Sequence, residues 1–517
     1  MHTNIHPYQI NILQDTYREA KNWLDFFAIA YYPFFRYTDK GLSIESCGCR
    51  EKFLKDWEKV QNIVADYNLP GKFVTFLGYE WPGNRRKYGD VNVFYLEDYQ
   101  PLDCTPELPQ LYENLRKRNG IAIPHHTAYQ VGERGKDWNF HNELLSPFAE
   151  IYSSHGSSEG CDTPLDMDRN LNMGPRTSGG TIQEGLKRGY RLGIIASGDN
   201  HYGFPGVWGN GLAGVYAEEL TRKSIWDAFM KRRVYGVTGD RIKLNFSINE
   251  HFMGESFKFS GPLKIKAGII GSQAIDRVEL LRNNQVIHTY CHPGNWDIPS
   301  DGTVRAKMKV EFGWGPDMNR GFKLKSKKWS GEFKVPMGRL ISVEPCFTTF
   351  GQKMELVSQN TCYFNLTTLP RGFVWDKQSF QPIASTRELQ SFQALIFEVE
   401  APLRDIIQLK VDSHIISFPL QKAMEGSRIL AMDEEIKKCI YEQFHLLPEE
   451  IENPDVFWHN AYKVKIHRAI PQNGYSVNFE YVDQNPPRGR NFYYLRVTQL
   501  NGQMAWSSPI WVDNNFS

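Results

Sequence analysis

The stretch GIIASGDNHYGFPG, residues 193–206, is a short apolar run that stops at a glycine and then presents Asp199 and His201. Apolar runs of this length are typical of buried strands. In an extended backbone, residues two apart point to the same side, so we expect both side chains to face one object. Because carboxylate and imidazole groups together are common metal ligands, the stretch predicts a metal ion at the end of a buried strand.

Outward from this stretch, apolar runs alternate with helical patterns over the first 200 residues. The predicted strands are FFAIAYYPF, FVTFLGYEW, IAIPHH and FAEIYSSHG, and the predicted helices include residues 10–24, 53–64, PELPQLYENLRKRNG and TIQEGLKRG. Strands that alternate with helices and read as continuous apolar runs imply an α/β fold with a parallel sheet, either covered on both faces or closed into a barrel. In both architectures, ligands bind at the carboxyl ends of the strands.

Ligand-type side chains stand at or just beyond the ends of these runs: Glu80, His125, His126, His155, Asp199 and His201. A mixed set of imidazoles and carboxylates suits divalent Zn, Mn or Fe. Two adjacent ions of this kind activate water and polarise an ester or phosphoryl oxygen, which is the demand of hydrolysis. A single histidine or aspartate in a loop would carry little weight, but several independent strand ends together favour a metal site.

The second half has a different character, with short alternating segments separated by turn residues. We predict a metal-binding α/β domain over residues 1–240 and a β-rich, sandwich-like region over 241–517, with a helical insert near 431–444. RNNQ and LNGQ are predicted hairpin turns, since Asn and Gly tolerate a positive φ. We expect Trp506 and Trp511 to pack in a core; a sugar-binding platform is the alternative.

Composition narrows the possible partners. The 517 residues carry 60 basic and 59 acidic side chains, a net charge of +1, which gives no long-range field for nucleic acid or an anionic membrane. The sequence lacks a membrane-length apolar run and a signal-peptide pattern, so we expect a cytoplasmic protein, unless a leader has been removed. Eight thinly spread cysteines indicate mostly reduced thiols. The expected partner is a small-molecule substrate that is anionic or contains an ester.

Several segments together resemble one enzyme superfamily. FVTFLGYEW, IAIPHHTAY, EIYSSHGSSE, AWSSPIWV and the long block that begins GDNHYGFPGVWGNG are similar to the polymerase-and-histidinol-phosphatase (PHP) superfamily. The resemblance is strongest to its large branch of unknown function, related to metallohydrolases of the carbaryl-hydrolase type. It implies a distorted (β/α)7 barrel, with metals at the carboxyl ends of the strands.

The resemblance also implies roles for individual residues. The metal ligands that it implies are His2, His6, Glu80, His125, His155, Asp199 and His201. The catalytic residues that it implies are His126, Asp199 and His201, with His126 as either a ligand or a proton donor. His2 fits the first motif, and either Asn4 or His6 fills its second position. Because the chain opens on His2, we expect either a very short first strand or further residues before Met1.

One departure from the family pattern concerns Tyr31 and Tyr32, which stand where the family has Asp-His. A phenol ionises only near pH ~10, so tyrosine is a poor ligand at neutral pH. We therefore expect one or two ions and assign both tyrosines to substrate binding. Arg85, Arg86 and Lys87 are candidates for binding an anionic group of the substrate, with a solvated basic loop as the alternative.

The expected function is that of a metal-dependent hydrolase, a phosphoesterase that uses metal-activated hydroxide. One alternative is hydrolysis of a carboxylic ester, carbamate or amide, as in the carbaryl-hydrolase type. The other alternative is a degenerate, non-catalytic protein that binds a metal or a carbohydrate.

Overall fold

The structure is a computed structural model, which describes residues 2–39, 42–47, 51–167, 173, 175–298, 302–323, 326–369, 371 and 391–514. The chain divides into two compact units. The first comprises residues 1–271, 275–292 and 477–517, and the second comprises 272–274 and 293–476.

The first unit starts with mixed strands and helices and continues as strands alone. Its strands up to residue 292 are β1 (His2–Ile5), β2 (Phe26–Tyr31), β3 (Phe34–Asp39), β4 (Leu42–Cys47), β5 (Val74–Glu80), β6 (Val91–Tyr95), β7 (Gly120–Pro124), β8 (Phe148–Ser153), β9 (Gly156–Ser157), β10 (Gly193–Ala196), β11 (Leu212–Val215), β12 (Val234–Val237), β13 (Lys243–Ile248), β14 (His251–Phe252), β15 (Ser256–Lys258), β16 (Leu263–Ile270), β17 (Ile275–Arg282) and β18 (Gln285–Cys291). Its helices are α1 (Leu13–Trp23), α2 (Glu51–Tyr67), α3 (Arg85–Tyr88), α4 (Leu108–Arg116), α5 (Ile182–Lys187) and α6 (Arg222–Met230).

The second unit is mainly β-structure with short helices. Its strands are β19 (Thr303–Gly313), β20 (Lys327–Lys334), β21 (Arg339–Cys346), β22 (Lys353–Ser358), β23 (Thr361–Thr368), β24 (Phe392–Pro402), β25 (Ile406–Val411), β26 (His414–Pro419), β27 (Arg428–Ala431), β28 (Lys463–Ile466) and β29 (Ile470–Pro471). Its helices are α7 (Leu420–Glu425), α8 (Asp433–Phe444), α9 (Asp455–Asn460) and α10 (Gln472–Tyr475). Helix α8 lies where the sequence predicts a helical insert.

The chain then returns to the first unit through four strands: β30 (Ser476–Asp483), β31 (Gly489–Gln499), β32 (Met504–Ser507) and β33 (Ile510–Asn514). Strand β32 pairs with β12, and β31 pairs with β17. These pairings tie the C-terminal strands to the N-terminal part of the chain. The predicted domain boundary at residue 240 therefore falls inside the first unit.

The strands of the first unit form several separate sheets. One has the order β1-β2-β5-β6-β7, a second β10-β8-β9 and a third β14-β13-β16-β30. The largest has the order β11-β12-β32-β31-β17-β18, with β33 beside β31 and β15 beside β33. The second unit contains the sheets β21-β24-β19-β28-β27, with β29 beside β19, and β22-β23-β20-β25-β26.

The prediction of a distorted (β/α)7 barrel, or of any TIM-like barrel, is wrong. Strands make up 41% and helices 22% of the described residues, and the strands lie in separate sheets that form no closed barrel there. The connection from Glu80 to Val91 is shorter than the roughly dozen residues that a parallel crossover needs. Strand β6 therefore runs antiparallel to both β5 and β7, and the parallel pairing of this sheet ends at β5.

Most individual elements of the first 200 residues lie where the sequence predicts them. Helix α2 buries Phe53, Trp57, Val60 and Val64, the residues whose spacing predicted it. Strands β2, β5, β7, β8 and β10 coincide with the five apolar runs. The local hydrophobic pattern thus identified the strands and helices. The direction of β6 depended instead on the length of the loop that joins it to β5.

The β-rich part of the first unit is built as two packed sheets. Buried side chains of β13 and β16, such as Phe246 and Ile265, share one core with Val278 of β17 and Leu495 of β31. The RNNQ turn joins β17 to β18, with Asn283 and Asn284 at φ 51° and 68°. This confirms the predicted hairpin, since a two-residue turn with both φ positive matches the strand twist.

Trp506 and Trp511 are core residues, as predicted, and are 0% and 1% exposed. The indole Nε1 of Trp506 donates to Glu159 Oε2 at 2.9 Å. Glu159 Oε1 also accepts from Tyr494 Oη and Arg496 Nη1, each at 3.0 Å. A carboxylate before α5 is thereby bonded to the C-terminal strands β31 and β32.

We predict that Glu159→Ala lowers the free energy of unfolding by about 3 kcal/mol, because it leaves the buried donors of Trp506, Tyr494 and Arg496 each without one acceptor. Arg496 keeps its pair with Glu279. Urea unfolding followed by circular dichroism measures this. Glu113→Ala is the matched control, since its pair with Arg116 is exposed and is worth at most about 1 kcal/mol. Equal losses in the two variants would contradict the prediction.

The last observations on the fold concern the cysteines and the length of the helices. Cys104 is disulfide-bonded. Among the described residues, five cysteines are free: Cys161, Cys291, Cys346, Cys362 and Cys439. Among the helices of the described residues, none has the length and apolar character needed to cross a membrane.

Candidate metal centre

The predicted ligands come from the ends of different strands. Glu80 is the last residue of β5, His125 follows β7, His155 follows β8, and Asp199 follows β10. All four are buried. His2 is the first residue of β1, which is the very short first strand that the sequence suggested.

Asp199 lies at the centre of this group. Its Oδ2 is 3.3 Å from His155 Nε2 and 3.9 Å from both His125 Nε2 and His126 Nε2. Its Oδ1 is 3.4 Å from His2 Nε2. Ligand atoms of His125, His126 and Asp199 all lie within 4.8 Å of one another. Four imidazoles therefore surround one carboxylate.

The side chain of Asn4 links the remaining predicted ligands. Its Nδ2 is 3.3 Å from Glu80 Oε2, 3.0 Å from Asp199 Oδ1 and 3.2 Å from His201 Nε2. His6 instead contacts the far nitrogen of His201, with Nε2 and Nδ1 2.9 Å apart. Asn4 and His6 are the two candidates for the second position of the first motif, and Asn4 is the one whose side chain contacts the carboxylates of Glu80 and Asp199.

The backbone at the centre departs from the extended form that the sequence argument assumed. Strand β10 ends at Ala196, and Asp199 has φ 45°. Asp199 and His201 thus converge through a turn and not through the two-residue repeat of a strand. His126 also has a positive φ, 33°, and left-handed backbone at a residue other than glycine is typical of functional sites.

Burial and neighbouring charges set the protonation of the centre. Burial lowers the pKa of His125 to about 4 and that of His126 well below its usual value. Both imidazoles are therefore neutral at pH 7, the form that binds metals. Burial opposes ionisation of Asp199, but His125, His2 and His155 hold its pKa well below its usual value. Burial raises the pKa of Glu80 to about 8, assisted by Asp90 and opposed by Arg85.

The donor set fits a divalent transition-metal ion. Four ligands bound at about 2.0–2.2 Å in a tetrahedron stand roughly 3.3–3.6 Å apart, close to the separations around Asp199. Within the described residues, several buried polar atoms have no hydrogen-bond partner: both ring nitrogens of His125, His126 Nδ1, Asp199 Oδ2 and Asn4 Oδ1. A metal ion would satisfy convergent buried ligand atoms of this kind.

The two tyrosines at the end of β2 differ in their surroundings. Tyr31 is buried against α2, where its hydroxyl donates to Asp56 Oδ2 at 3.2 Å and its ring lies near Trp57. It packs in the core, so the geometry does not favour the predicted substrate contact. Tyr32 lies beside the centre, with its ring centroid 4.5 Å from that of His6 and 5.2 Å from that of His201.

The three basic residues Arg85, Arg86 and Lys87 also differ in their surroundings. Arg85 Nη1 donates to Glu80 Oε1 at 3.0 Å and to Tyr32 Oη at 3.3 Å. Arg86 is 74% exposed and pairs with Glu133, and Lys87 is 46% exposed and pairs with Glu107. Of the three predicted anion-binding residues, Arg85 alone contacts the centre.

Sequence reasoning missed several residues of this site. Asp90 lies 3.6 Å from His126 Nε2, and Asn92 lies 3.1 Å from His2 Nε2. Glu150 is 3.8 Å from His2 Nδ1, which also contacts Ser197. A signal for Glu150 was available, because it is a charged residue inside the buried run FAEIYS of β8. Asn92 lies in β6, the strand whose direction was not predicted, and Asp90 immediately precedes that strand.

Comparisons with known proteins give partial matches. Residues 205–265 match a family described as Protein of unknown function (DUF3604). An uncharacterized protein of Chlamydia pneumoniae is 28% identical over 262 residues, 46% of this chain and 41% of its own. An uncharacterized protein of Chlamydia trachomatis is 26% identical over 262 residues, with the same two shares.

The chain thus spans about two fifths of the length of these relatives. No solved structure matches the chain. None of the descriptions mentions the PHP superfamily or carbaryl hydrolases, and that resemblance stays a prediction.

Proposed function

We propose that this chain is a metal-dependent hydrolase that cleaves phosphoesters. The observation that carries the proposal is the convergence of four imidazoles on the buried carboxylate of Asp199, where His125 Nε2 and Asp199 Oδ2 have no hydrogen-bond partner among the described residues. One or two ions of Zn, Mn or Fe suit this donor set. When bound, such an ion supplies Lewis acidity and lowers the pKa of water.

The residues of the chain have separate roles in this proposal. His125, His126 and Asp199 hold one ion, since their ligand atoms all lie within 4.8 Å of one another. Glu80, His2 and His155 surround the same space and could hold a second. Ser197 contacts His2 Nδ1, and Tyr129 Oη lies 2.9 Å from His155 Nδ1. These contacts fix each ring so that its Nε2 faces Asp199.

We assign proton transfer to His201 and His6. The two rings contact each other through nitrogens 2.9 Å apart, and His201 is only partly buried. A proton can therefore pass between the centre and the solvent-facing side through this pair. A general acid in this position protonates the leaving oxygen of the substrate, an effect typically worth about 10²–10⁴-fold in rate.

The test is metal analysis combined with substrate assays on the full chain. The protein is stripped with a chelator and reloaded with Zn, Mn or Fe, and its metal content is measured by mass spectrometry. We expect one or two ions per chain and metal-dependent hydrolysis of 4-nitrophenyl phosphate. Faster hydrolysis of 4-nitrophenyl acetate or an aryl carbamate would instead support the carboxylic ester or carbamate alternative.

Calcium-loaded protein is the control for a general effect of divalent ions, because calcium prefers six to eight oxygen ligands and does not suit this imidazole-rich set. Failure to retain any transition metal, together with no rescue of hydrolysis by added metal, would contradict the proposal. That result would favour the alternative in which the chain is a non-catalytic protein that binds a metal or a carbohydrate.

A further inference from the structure

A cavity of about 260 Å³ lies away from the candidate metal centre. One of its lining residues is Phe26, the first residue of the six-residue strand β2. Tyr32 directly follows the last residue of β2, and its ring centroid is 5.2 Å from that of His201. A strand of this length extends roughly 17 Å, so the cavity and the metal centre adjoin opposite ends of β2.

Two segments of the first unit form the walls of this cavity. The connection from α1 to β2 supplies Leu24 and Phe26. The paired strands β11 and β12 supply the other wall, which includes Leu212 and Val237. Both walls are therefore mainly apolar, as the walls of small-molecule sites usually are.

Contacts between the two walls hold the cavity in shape. Arg241 Nη2 donates to the carbonyl oxygen of Trp23 at 2.5 Å. Leu24 and Leu212 both lie beside Gly206, where an added Cβ atom would be 3.1 Å from Leu24 Cδ2 and 3.6 Å from Leu212 Cδ2. Because the cavity is already formed, a ligand that enters it does not pay for ordering the walls.

Tyr235 places a polar group in this apolar surrounding. Its ring lies against the backbone of Gly214, where an added Cβ atom would be only 2.1 Å from the ring carbon Cζ. The hydroxyl of Tyr235, which also lines the cavity, has no hydrogen-bond partner among the described residues. A hydroxyl can donate and accept, so it is available to a polar group of a ligand.

The cavity also carries two exposed charges of opposite sign, Asp25 and Lys243. Neither side chain pairs with any residue that the structure describes, so they do not pair with each other. Arg241, the third charged lining residue, is tied to Trp23. Asp25 would repel an anionic ligand and Lys243 would repel a cationic one, whereas a zwitterion is attracted by both.

We propose that this cavity binds a free α-amino acid with a large apolar side chain. The side chain of the ligand lies between the two walls, its carboxylate faces Lys243 and its ammonium group faces Asp25. The volume is just below the roughly 300–1,000 Å³ of pockets for drug-sized ligands, which suits an occupant as small as an amino acid. The site does not involve the metal centre, so the inference does not rest on the proposed function.

The experiment measures binding of L-phenylalanine to the full chain by titration with saturation-transfer NMR. Two analogues each lack one charge: 3-phenylpropionate has no ammonium group, and 2-phenylethylamine has no carboxylate. We expect L-phenylalanine to bind more tightly than either analogue by roughly two- to fivefold, the effect of one exposed charge pair. It should also bind more tightly than glycine, which offers no side chain to the apolar walls.

Two variants assign each charge of the ligand to a residue. Asp25→Asn is expected to weaken binding of L-phenylalanine and to strengthen binding of 3-phenylpropionate, because it removes an attraction in one case and a repulsion in the other. Lys243→Gln is expected to weaken binding of L-phenylalanine and to strengthen binding of 2-phenylethylamine. A loss of folding cannot produce these opposite signs. Lys21→Gln, at an exposed lysine of α1 outside the lining, is the matched control and should leave every affinity unchanged.

Three results would overturn the inference. One is the absence of saturable binding of L-phenylalanine, and another is equal affinity for L-phenylalanine and 3-phenylpropionate. The third is a change of the same sign for L-phenylalanine and the matching analogue in either variant. The measurement involves no metal and no hydrolysis, so its result is separate from that of the test of the proposed function.

Discussion

Asp199→Asn is expected to abolish metal retention and to reduce hydrolysis by roughly 10²- to 10³-fold, as removal of one charged group from a preorganised site does. The amide keeps the size of the side chain but removes the negative charge that four imidazoles share. His2 and His155 lie 3.4 Å and 3.3 Å from this carboxylate, so both lose their common anionic partner. Metal content by mass spectrometry and kcat/KM measure the two effects separately.

Asp103→Asn is the matched control for this substitution. Asp103 is also buried, but its carboxylate accepts from the backbone N–H of Thr105 at 2.9 Å and from Asn114 Nδ2 at 2.7 Å. It has no contact with the metal centre among these bonds, so metal content is expected to stay unchanged. An Asp199→Asn protein that retains its full complement of metal would contradict the assignment of Asp199 as a ligand.

The sequence identified the residues that converge in the candidate site better than it predicted the sheet that carries them. Glu80, His125, His155 and Asp199 were recognised because each follows an apolar run, and strand ends are local features. Their convergence needs the runs to meet at one edge, which parallel neighbours such as β2 and β5 provide. The antiparallel direction of β6 was not readable from periodicity, because it depends on a short connection and on pairing with two neighbours.

The residues that were missed share a physical reason. Arg134 and Asp90 are 44 positions apart, and nothing in either local stretch shows that they meet. The same holds for Asn92 and His2, which are 3.1 Å apart although β2 and β5 lie between their strands β6 and β1 in the sheet. A candidate ligand residue can be recognised from the sequence of its own strand. The residues that orient it lie on other strands, and only the pairing of the strands shows which they are.

The second large effect concerns stability and comes from Lys136. This lysine is 1% exposed, and its Nζ has no hydrogen-bond partner among the described residues. Burial lowers its pKa from 10.5 to about 7, opposed only by Asp137. We expect Lys136→Met to raise the free energy of unfolding at pH 7 by a few kcal/mol, since each pKa unit corresponds to about 1.4 kcal/mol. Methionine is unbranched and fills a similar space without a charge.

The pH dependence identifies the cause of this gain. Between pH 7 and 10.5 the unfolded chain keeps the proton on Lys136 and the folded chain does not, so the stability of the unsubstituted protein rises with pH over this range. Below pH 7 both states are protonated and the penalty is constant. Urea unfolding should therefore show the advantage of Lys136→Met shrinking from pH 7 to pH 10. Lys72→Met, at an exposed lysine, should show little difference at any pH. A loss of stability in Lys136→Met at pH 7 would mean that the ammonium has a stabilising partner, because an unpaired buried charge can only oppose folding.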